Sequence, residues 1–351
     1  MNDFSLKVLN FYLTWDCNYK CVHCWVEGGE NNGISLSKDN ALSILEKAKP
    51  LGLQGVKITG GEPLLCQDVI TCVVGWCSKN GNISLGIETN GSLLSEAFIE
   101  NNLLSKNVSL SISLNDFESE GHDKFVGFVG AFDKTIENIR LLNKYNLDFR
   151  VVVSMCEENV KHLEKIVELC KSFGAVGIKL NPIVPLGRGY SKIFNDGLDV
   201  HEIVKRISNK VDNYSLKYDI PIFLHVPLAF RSFHSLNDNG MLVCSHLNML
   251  SILPDNALTI CGYGGVNPKT IWGYYSKDLD LRDFWFNNPY LLNIRAAQAS
   301  DGVCLNCVHN KICHGDCKAL SVDCYDRWDA PSPFCQREYE LGNFPKTRMI
   351  I

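Results

Sequence analysis

The sequence predicts an α/β fold in which strand–helix units build a parallel sheet and a loop-rich, cysteine-ligated segment follows. Short β-branched or apolar runs alternate with amphipathic stretches from residue 6 to about residue 190, the pattern of repeated βα units. The composition, 46% hydrophobic and 21% charged over 351 residues, is that of a globular chain long enough for one large α/β domain and a smaller module. Of sixteen cysteines, eight fall between Cys244 and Cys335, where regular hydrophobic pattern is scarce. A segment built that way relies on bound metal for its fold.

Six strands are expected, over residues 6–14, 55–59, 84–89, 108–114, 149–155 and 177–183. Between them, residues 38–52 and 133–146 carry apolar side chains at three- and four-residue steps, as helices packed on a sheet do. A further helix over 160–173 precedes the last strand. Glycine and polar residues cluster at 187–199 (GRGYSKIFNDGLD) and read as a linker, with a helix near 200–213 beyond it. The expected division is a core over residues 1–190, a bridging helical region over 191–243 and a cysteine-rich module over 244–351.

A net charge of −5 gives no electrostatic footprint for nucleic acid. The start, MNDFSLKVLNFYLT, lacks a secretory signal, and no apolar run approaches bilayer-spanning length. The expectation is a cytoplasmic protein that engages neither nucleic acid nor membrane. In a reducing compartment its cysteines point to metal or redox chemistry, not to a disulfide framework.

Cys17, Cys21 and Cys24 follow the first strand directly, in TWDCNYKCVHCW. Structural zinc sites are closed and four-coordinate. Three thiolates in one loop suit instead a cube of four irons with one iron left for a substrate or cofactor, and the carboxyl end of a parallel strand is where α/β proteins place their sites. Gly60-Gly61-Glu62-Pro63 follows the second strand. Its glycines let the backbone approach a ligand without a Cβ clash, and Glu62 can accept hydrogen bonds from an ammonium group. Taken alone, the same four residues are also a β-turn.

The two motifs, C-x3-C-x2-C and then GGEP on the next strand end, resemble those of the radical S-adenosylmethionine (SAM) superfamily. The resemblance implies a partial (β/α)6 barrel, a 4Fe–4S cluster on Cys17, Cys21 and Cys24, and contact of Gly60, Gly61, Glu62 and Pro63 with the amino group of SAM. It also implies cofactor contacts at later strand ends, from Glu88, Asn90, Ser113, Asn181 and Arg188, although polar residues end any βα loop. Arg188 could clamp a carboxylate or peptide group, or be a surface arginine in a linker. Relatives with the same C-terminal module carry His-Asp-x-x-Arg-Gly, where this chain reads His122-Asp123-Lys124-Phe125-Val126-Gly127. The arginine's role then falls to Lys124, to Arg150, or is absent.

Cys304, Cys307, Cys313 and Cys317 form C-x2-C-x5-C-x3-C, with Cys335 eighteen residues on and Cys244 and Cys261 upstream. This resembles the SPASM extension of peptide-modifying radical SAM enzymes. By that resemblance Cys304, Cys307, Cys313 and Cys335 bind one auxiliary 4Fe–4S cluster, and Cys244, Cys261 and Cys317 bind a second, nearer SAM. The expected total is three clusters plus SAM. The alternative is a zinc ribbon of Cys304, Cys307, Cys313 and Cys317. A fourth ligand for the nearer cluster is open among His234, Asp238, Cys324 or none. Asn256 stands where relatives have glycine, and asparagine tolerates left-handed backbone. Cys324 is alternatively a thiol that donates a hydrogen atom to a substrate radical, while Cys66, Cys72 and Cys77 read as small apolar core residues.

The resemblance implies an enzyme in which the reduced cluster splits SAM into methionine and a 5′-deoxyadenosyl radical that takes a hydrogen atom from substrate. The expected reaction is crosslinking or epimerisation of a ribosomally made peptide. Alternatives are sulfatase-maturase-like protein oxidation, modification of a small metabolite or tetrapyrrole, and, in another class, a non-catalytic zinc or electron-transfer protein. Cys261 is followed by Gly262-Tyr263-Gly264 and not by the aspartate of sulfatase-maturing relatives. Expected partners are the peptide or protein substrate, an electron donor such as flavodoxin or ferredoxin, and a separate leader-binding protein if a leader is recognised, because the first strand begins near residue 6.

Overall fold

Strand β1 (Val8–Tyr12) lies inside a ten-stranded sheet, with partners on both sides. The fold is a computed structural model that describes residues 4–29, 33–104, 107–232 and 247–350. All six expected strands are present: β1, then β2 (Gly55–Thr59), β3 (Ser84–Thr89), β4 (Val108–Ser113), β5 (Phe149–Met155) and β6 (Gly177–Pro182). They pair in chain order and in parallel, as βα units require. Four strands extend the sheet beyond that set. β7 (Ile222–Leu224) runs parallel to β6, β8 (Met249–Ile252) runs parallel to β1, and β9 (Ala257–Thr259) and β10 (Ile271–Tyr274) continue it antiparallel.

The helices are α1 (Lys38–Ala48), α2 (Gln67–Lys79), α3 (Glu96–Asn102), α4 (Ser119–Val126), α5 (Ala131–Lys144), α6 (Glu157–Lys161), α7 (Leu163–Ser172), α8 (Arg188–Phe194) and α9 (Val200–Tyr218), with shorter ones after β10. Helix α1 shows why they form. Ser37 caps it by accepting from the Asn40 N–H, and Ala41, Ile44, Leu45 and Ala48 recur at helical spacing and are buried. The segment read as a linker at 187–199 holds α8 instead. Helix α2 went unpredicted because its β-branched run and central Gly75 blur the helical period.

The two faces of the parallel sheet differ. Phe11, Ile58, Ile87, Ile112, Val153 and Leu180 are buried on the helix side. Between them, the alternate residues Lys57, Glu88, Ser113, Ser154, Lys179 and Asn181 are only half-buried. A parallel sheet ordinarily buries both faces, so this inner face, the concave side of a partial barrel, is kept open for something else. Among the described residues no helix is long and apolar enough to cross a membrane.

Candidate active site

Cys17, Cys21 and Cys24 sit half-buried in the loop after β1. Three other parts of the chain hold that loop by its backbone. The Lys20 and Val22 N–H groups donate to the carbonyls of Val126 and Phe125, at 3.1 and 3.0 Å. The Arg188 guanidinium donates through Nε to the Cys21 carbonyl at 2.7 Å and through Nη2 to the Gly28 carbonyl at 2.8 Å, while its own N–H reaches the Cys24 carbonyl at 3.0 Å. Arg188 thus braces the loop, a task different from clamping a ligand. Two backbone N–H groups point at sulfur: Tyr19 at Cys17 Sγ, 3.4 Å, and Gly28 at Cys24 Sγ, 3.2 Å. Such donors favour thiolates, against burial that pushes the free thiols up to about 11 at Cys17 and about 12 at Cys21.

His23, which the motif reading passed over, is half-buried, lies in the chain between Cys21 and Cys24, and stacks on Phe125 at 4.5 Å. Val126, at the position of the relatives' arginine, is buried and apolar, and Lys124 and Arg150 are exposed. The preceding pair is structural: His122 Nδ1 accepts from the Asn115 N–H, and Asp123 accepts from the N–H groups of Gly130 and Phe132 at the start of α5.

The GGEP turn packs on the cysteine loop backbone to backbone. The Gly61 N–H donates to the Thr14 carbonyl at 2.7 Å, and the Glu62 N–H donates to the Asp16 carbonyl at 2.8 Å. A Cβ on Gly61 would lie 2.2 Å from the Asp16 oxygen, and one on Gly60, at φ +141°, 2.5 Å from the Thr14 oxygen. The close approach expected of these glycines is therefore made, in the first instance, to the loop that carries the cysteines. Pro63 starts the short turn after Glu62 and is buried. The Glu62 carboxylate has no exposure and accepts from the Leu64 N–H, the Thr89 hydroxyl and the Asn90 N–H at 2.9, 2.6 and 2.9 Å. Burial raises its pKa, only partly offset by these neutral donors. Asn90 closes the ring by donating through Nδ2 to Asn18 inside the cysteine loop, at 2.9 Å.

Glu88 faces the inner side of the sheet. Its Oε1 lies 2.8 Å from Lys57 Nζ on β2 and 3.8 Å from Lys179 Nζ on β6. Burial opposes its ionisation, but the two lysines win and hold the carboxyl down to about 2. Ser113 and Asn181 share this face, and Asn181 Oδ1 is buried with no hydrogen-bond partner. Sequence reading missed Lys57 and Lys179, although a lone lysine inside an otherwise apolar parallel strand, GVKIT or GIKLN, is a usable signal.

In the C-terminal third, Cys304, Cys307, Cys313 and Cys335 line one cavity closed by Ala229 and Phe344. Cys317 is not among them and lies electrostatically close to Cys261. Of the four thiols of the Cys304–Cys317 run, three share this cavity with Cys335. Cys244, His234 and Asp238 lie outside the described residues. Cys324 is exposed, with Asp323 and Tyr263 as charged or titratable neighbours, and nothing described brings it to the inner face. Asn256 takes φ +69°, the left-handed backbone expected of it. Cys66 and Cys77 are buried core residues and Cys72 is half-buried.

The thiols fit clusters better than single ions. Among the described residues no three His, Cys, Asp or Glu side chains converge to share one ion, whereas thiolates on a cube each bind a different iron and stand farther apart. Lys318 is fully buried, donates to the Trp328 carbonyl at 2.7 Å and has Cys304, Asp329 and Cys313 as its charge neighbours. A buried ammonium suits a site whose thiolates are ionised by iron.

With this geometry established, comparison with known proteins gives the class. Residues 12–170 match the Radical SAM superfamily model, and the chain carries a radical SAM domain, the enzyme class that binds a 4Fe–4S cluster and SAM. It is 24% identical to the AdoMet-dependent heme synthase of Methanosarcina barkeri over 94% of this chain and 96% of that protein. It is 28% identical to a probable GTP 3′,8-cyclase of Saccharolobus islandicus over 78% of this chain and 90% of that one. In fold it is similar to Streptococcus suis SuiB bound to precursor peptide SuiA, with TM-score 0.76 and 20% identity over 95% of this chain and 76% of SuiB. It is also similar to anSMEcpe with bound AdoMet, with TM-score 0.71 and 17% identity over 96% of each chain.

Proposed function

We propose that this radical SAM enzyme modifies a ribosomally made peptide by hydrogen-atom abstraction, forming a crosslink or inverting an α-carbon. The observation that carries the reading is the open inner face of the sheet, polar and half-exposed, directly continuous with the strand ends that hold the cysteine loop and the GGEP turn. The cluster on Cys17, Cys21 and Cys24, when bound with SAM, supplies a carbon radical. The chain's own part is positional. Arg188, Phe125 and Val126 fix the loop, Gly60 and Gly61 let the second motif dock on it, and Glu62 offers a buried acceptor for the SAM ammonium. Cys304, Cys307, Cys313 and Cys335 would hold one auxiliary cluster, and Cys261 and Cys317, with Cys244, a second. An external flavodoxin or ferredoxin would supply electrons.

A second reading, modification of a small metabolite or tetrapyrrole, is supported by the likeness to a heme synthase along 94% of the chain. Both are tested together. After anaerobic reconstitution, about twelve irons per chain, falling to about eight in the Cys17/Cys21/Cys24→Ala variant, are expected for three four-iron clusters. Dithionite should then drive SAM cleavage in the wild type alone. A mass change in a candidate precursor peptide supports the first reading, and a change only in a small molecule supports the second. Stoichiometric zinc with about four irons removes the auxiliary clusters.

A further inference from the structure

The inner face carries more charge than a structural ion pair needs. Lys57 and Lys179 both approach the same oxygen of Glu88, at 2.8 and 3.8 Å, so two ammonium groups share one carboxylate and one positive charge is left over. These side chains retain 35%, 26% and 31% of their surface for Lys57, Lys179 and Glu88, yet protein surrounds them. Desolvation lowers the pKa of Lys179 and, with Lys179, Arg231 and Lys57 adding to it, pushes that of His225 down to about 4 although His225 is exposed. Lys57, Lys179 and Glu88 thus share the concave inner face of the sheet, partly open to solvent.

The position separates this trio from the GGEP turn. Lys57 precedes Gly60 by three residues, which at strand rise is roughly 10 Å toward the amino end of β2. Lys179 and Asn181 stand two apart on β6 and so share the inner face, where Asn181 offers its partnerless Oδ1. Placing two like charges together on a half-buried face weakens the fold relative to apolar side chains there, and a ligand of opposite charge would compensate that cost.

We propose that Lys57 and Lys179, with Glu88 as resident counter-ion, form a carboxylate-binding floor in the barrel, so that the substrate enters with an anionic group leading. Each lysine has three donors and Glu88 occupies only part of them, leaving directions for an incoming carboxylate, while the Asn181 amide can receive a neighbouring N–H. This deepens the peptide-modification reading and rests on it: the favoured substrate is a peptide with an acidic side chain or free carboxyl end near the reacting residue.

The test uses the reconstituted, SAM-bound protein and four probes: glutarate, acetyl-Ala-Glu-Ala-amide, its Gln counterpart, and 1,5-diaminopentane, titrated by calorimetry. Lys57→Met and Lys179→Met should each weaken the carboxylate probes about tenfold or more, as loss of a charge-assisted hydrogen bond does. Glu88→Gln should tighten them, a gain that misfolding would not produce, and the Gln peptide should bind more weakly than the Glu peptide in the wild type. Preference for the Glu peptide over glutarate identifies a peptide as the source of the carboxylate, and the reverse a small acid; either supports the floor. Carboxylate affinities indifferent to both lysines, competition of glutarate with SAM, or diamine binding that Glu88→Gln abolishes would overturn it. Reductive SAM cleavage, measured on the same samples, reports separately on the radical SAM reading.

Discussion

Glu88 on β3 and Lys179 on β6 bring a carboxylate oxygen and an ammonium nitrogen to 3.8 Å although two strands lie between theirs. Flat sheet spacing would put those strands roughly 14 Å apart, so the pair spans the concave face. With Lys57 it also makes that face sensitive to acid. The folded carboxyl sits at about 2, below its ordinary 4.5. A depressed carboxylate pKa adds stability above the unfolded value and loses it as pH falls through the folded one. The melting temperature of the wild type should therefore drop more steeply between pH 5 and pH 3 than that of Glu88→Gln. Parallel curves would show that the pair adds no pH-dependent stability.

Arg188 donates from two nitrogens to the carbonyls of Cys21 and Gly28. Arg188→Lys keeps the charge but cannot span both acceptors, and hydrogen bonds to charged groups are worth about 1.5 to 3 kcal/mol each. The variant should fold, keep its C-terminal iron and lose the iron of the opening loop faster to a chelator. Iron release followed with time, against the Cys17/Cys21/Cys24→Ala variant as the zero line, checks this.

Gly61→Ala and Gly75→Ala should differ in sign. An alanine Cβ at Gly61 would meet the Asp16 carbonyl oxygen at 2.2 Å, and one at Gly75, inside α2, would meet nothing within 4 Å. Overpacking costs roughly 1 to 3 kcal/mol, whereas alanine for glycine within a helix gains up to about 1 kcal/mol. Denaturant unfolding of the two apo variants gives both numbers.

Cys313 and Cys335 line one cavity, and Cys317 lies with Cys261. Iron loss in Cys313→Ser and Cys335→Ser should therefore be non-additive, each removing the same iron set of about four. Cys335→Ser and Cys317→Ser should add. Additivity of the first pair would separate two thiols that the fold puts together.

Much of this was readable in the chain because the strands are short and bounded by turn residues: the six core strands are each found within two residues of their expected limits. The cysteine loop and GGEP were readable as motifs, and Asn256 as a left-handed position, because each has a local physical cause. What escaped depends on distance across the fold. Arg188 lies 160 residues from Gly28 and 167 from Cys21, so no local pattern links them, and strands β8 to β10 fall in a segment whose hydrophobic runs are only three or four residues long. The inner-face lysines were visible letters, but the approach of Lys179 to Glu88 follows only when the sheet curves.

Strand β1 is hydrogen-bonded on one side by β2 and on the other by β8, pairing Val8 with Gly55 and with Met249. The strand that ends in the first cysteine loop thus waits, during synthesis, for a partner more than 230 residues later in the chain. Until then β1 is an open edge, and its cysteines hang from an element with half its ladder. Iron loading of the opening site should therefore wait until residues 249–252 have left the ribosome, making a late strand the timer for the first cofactor.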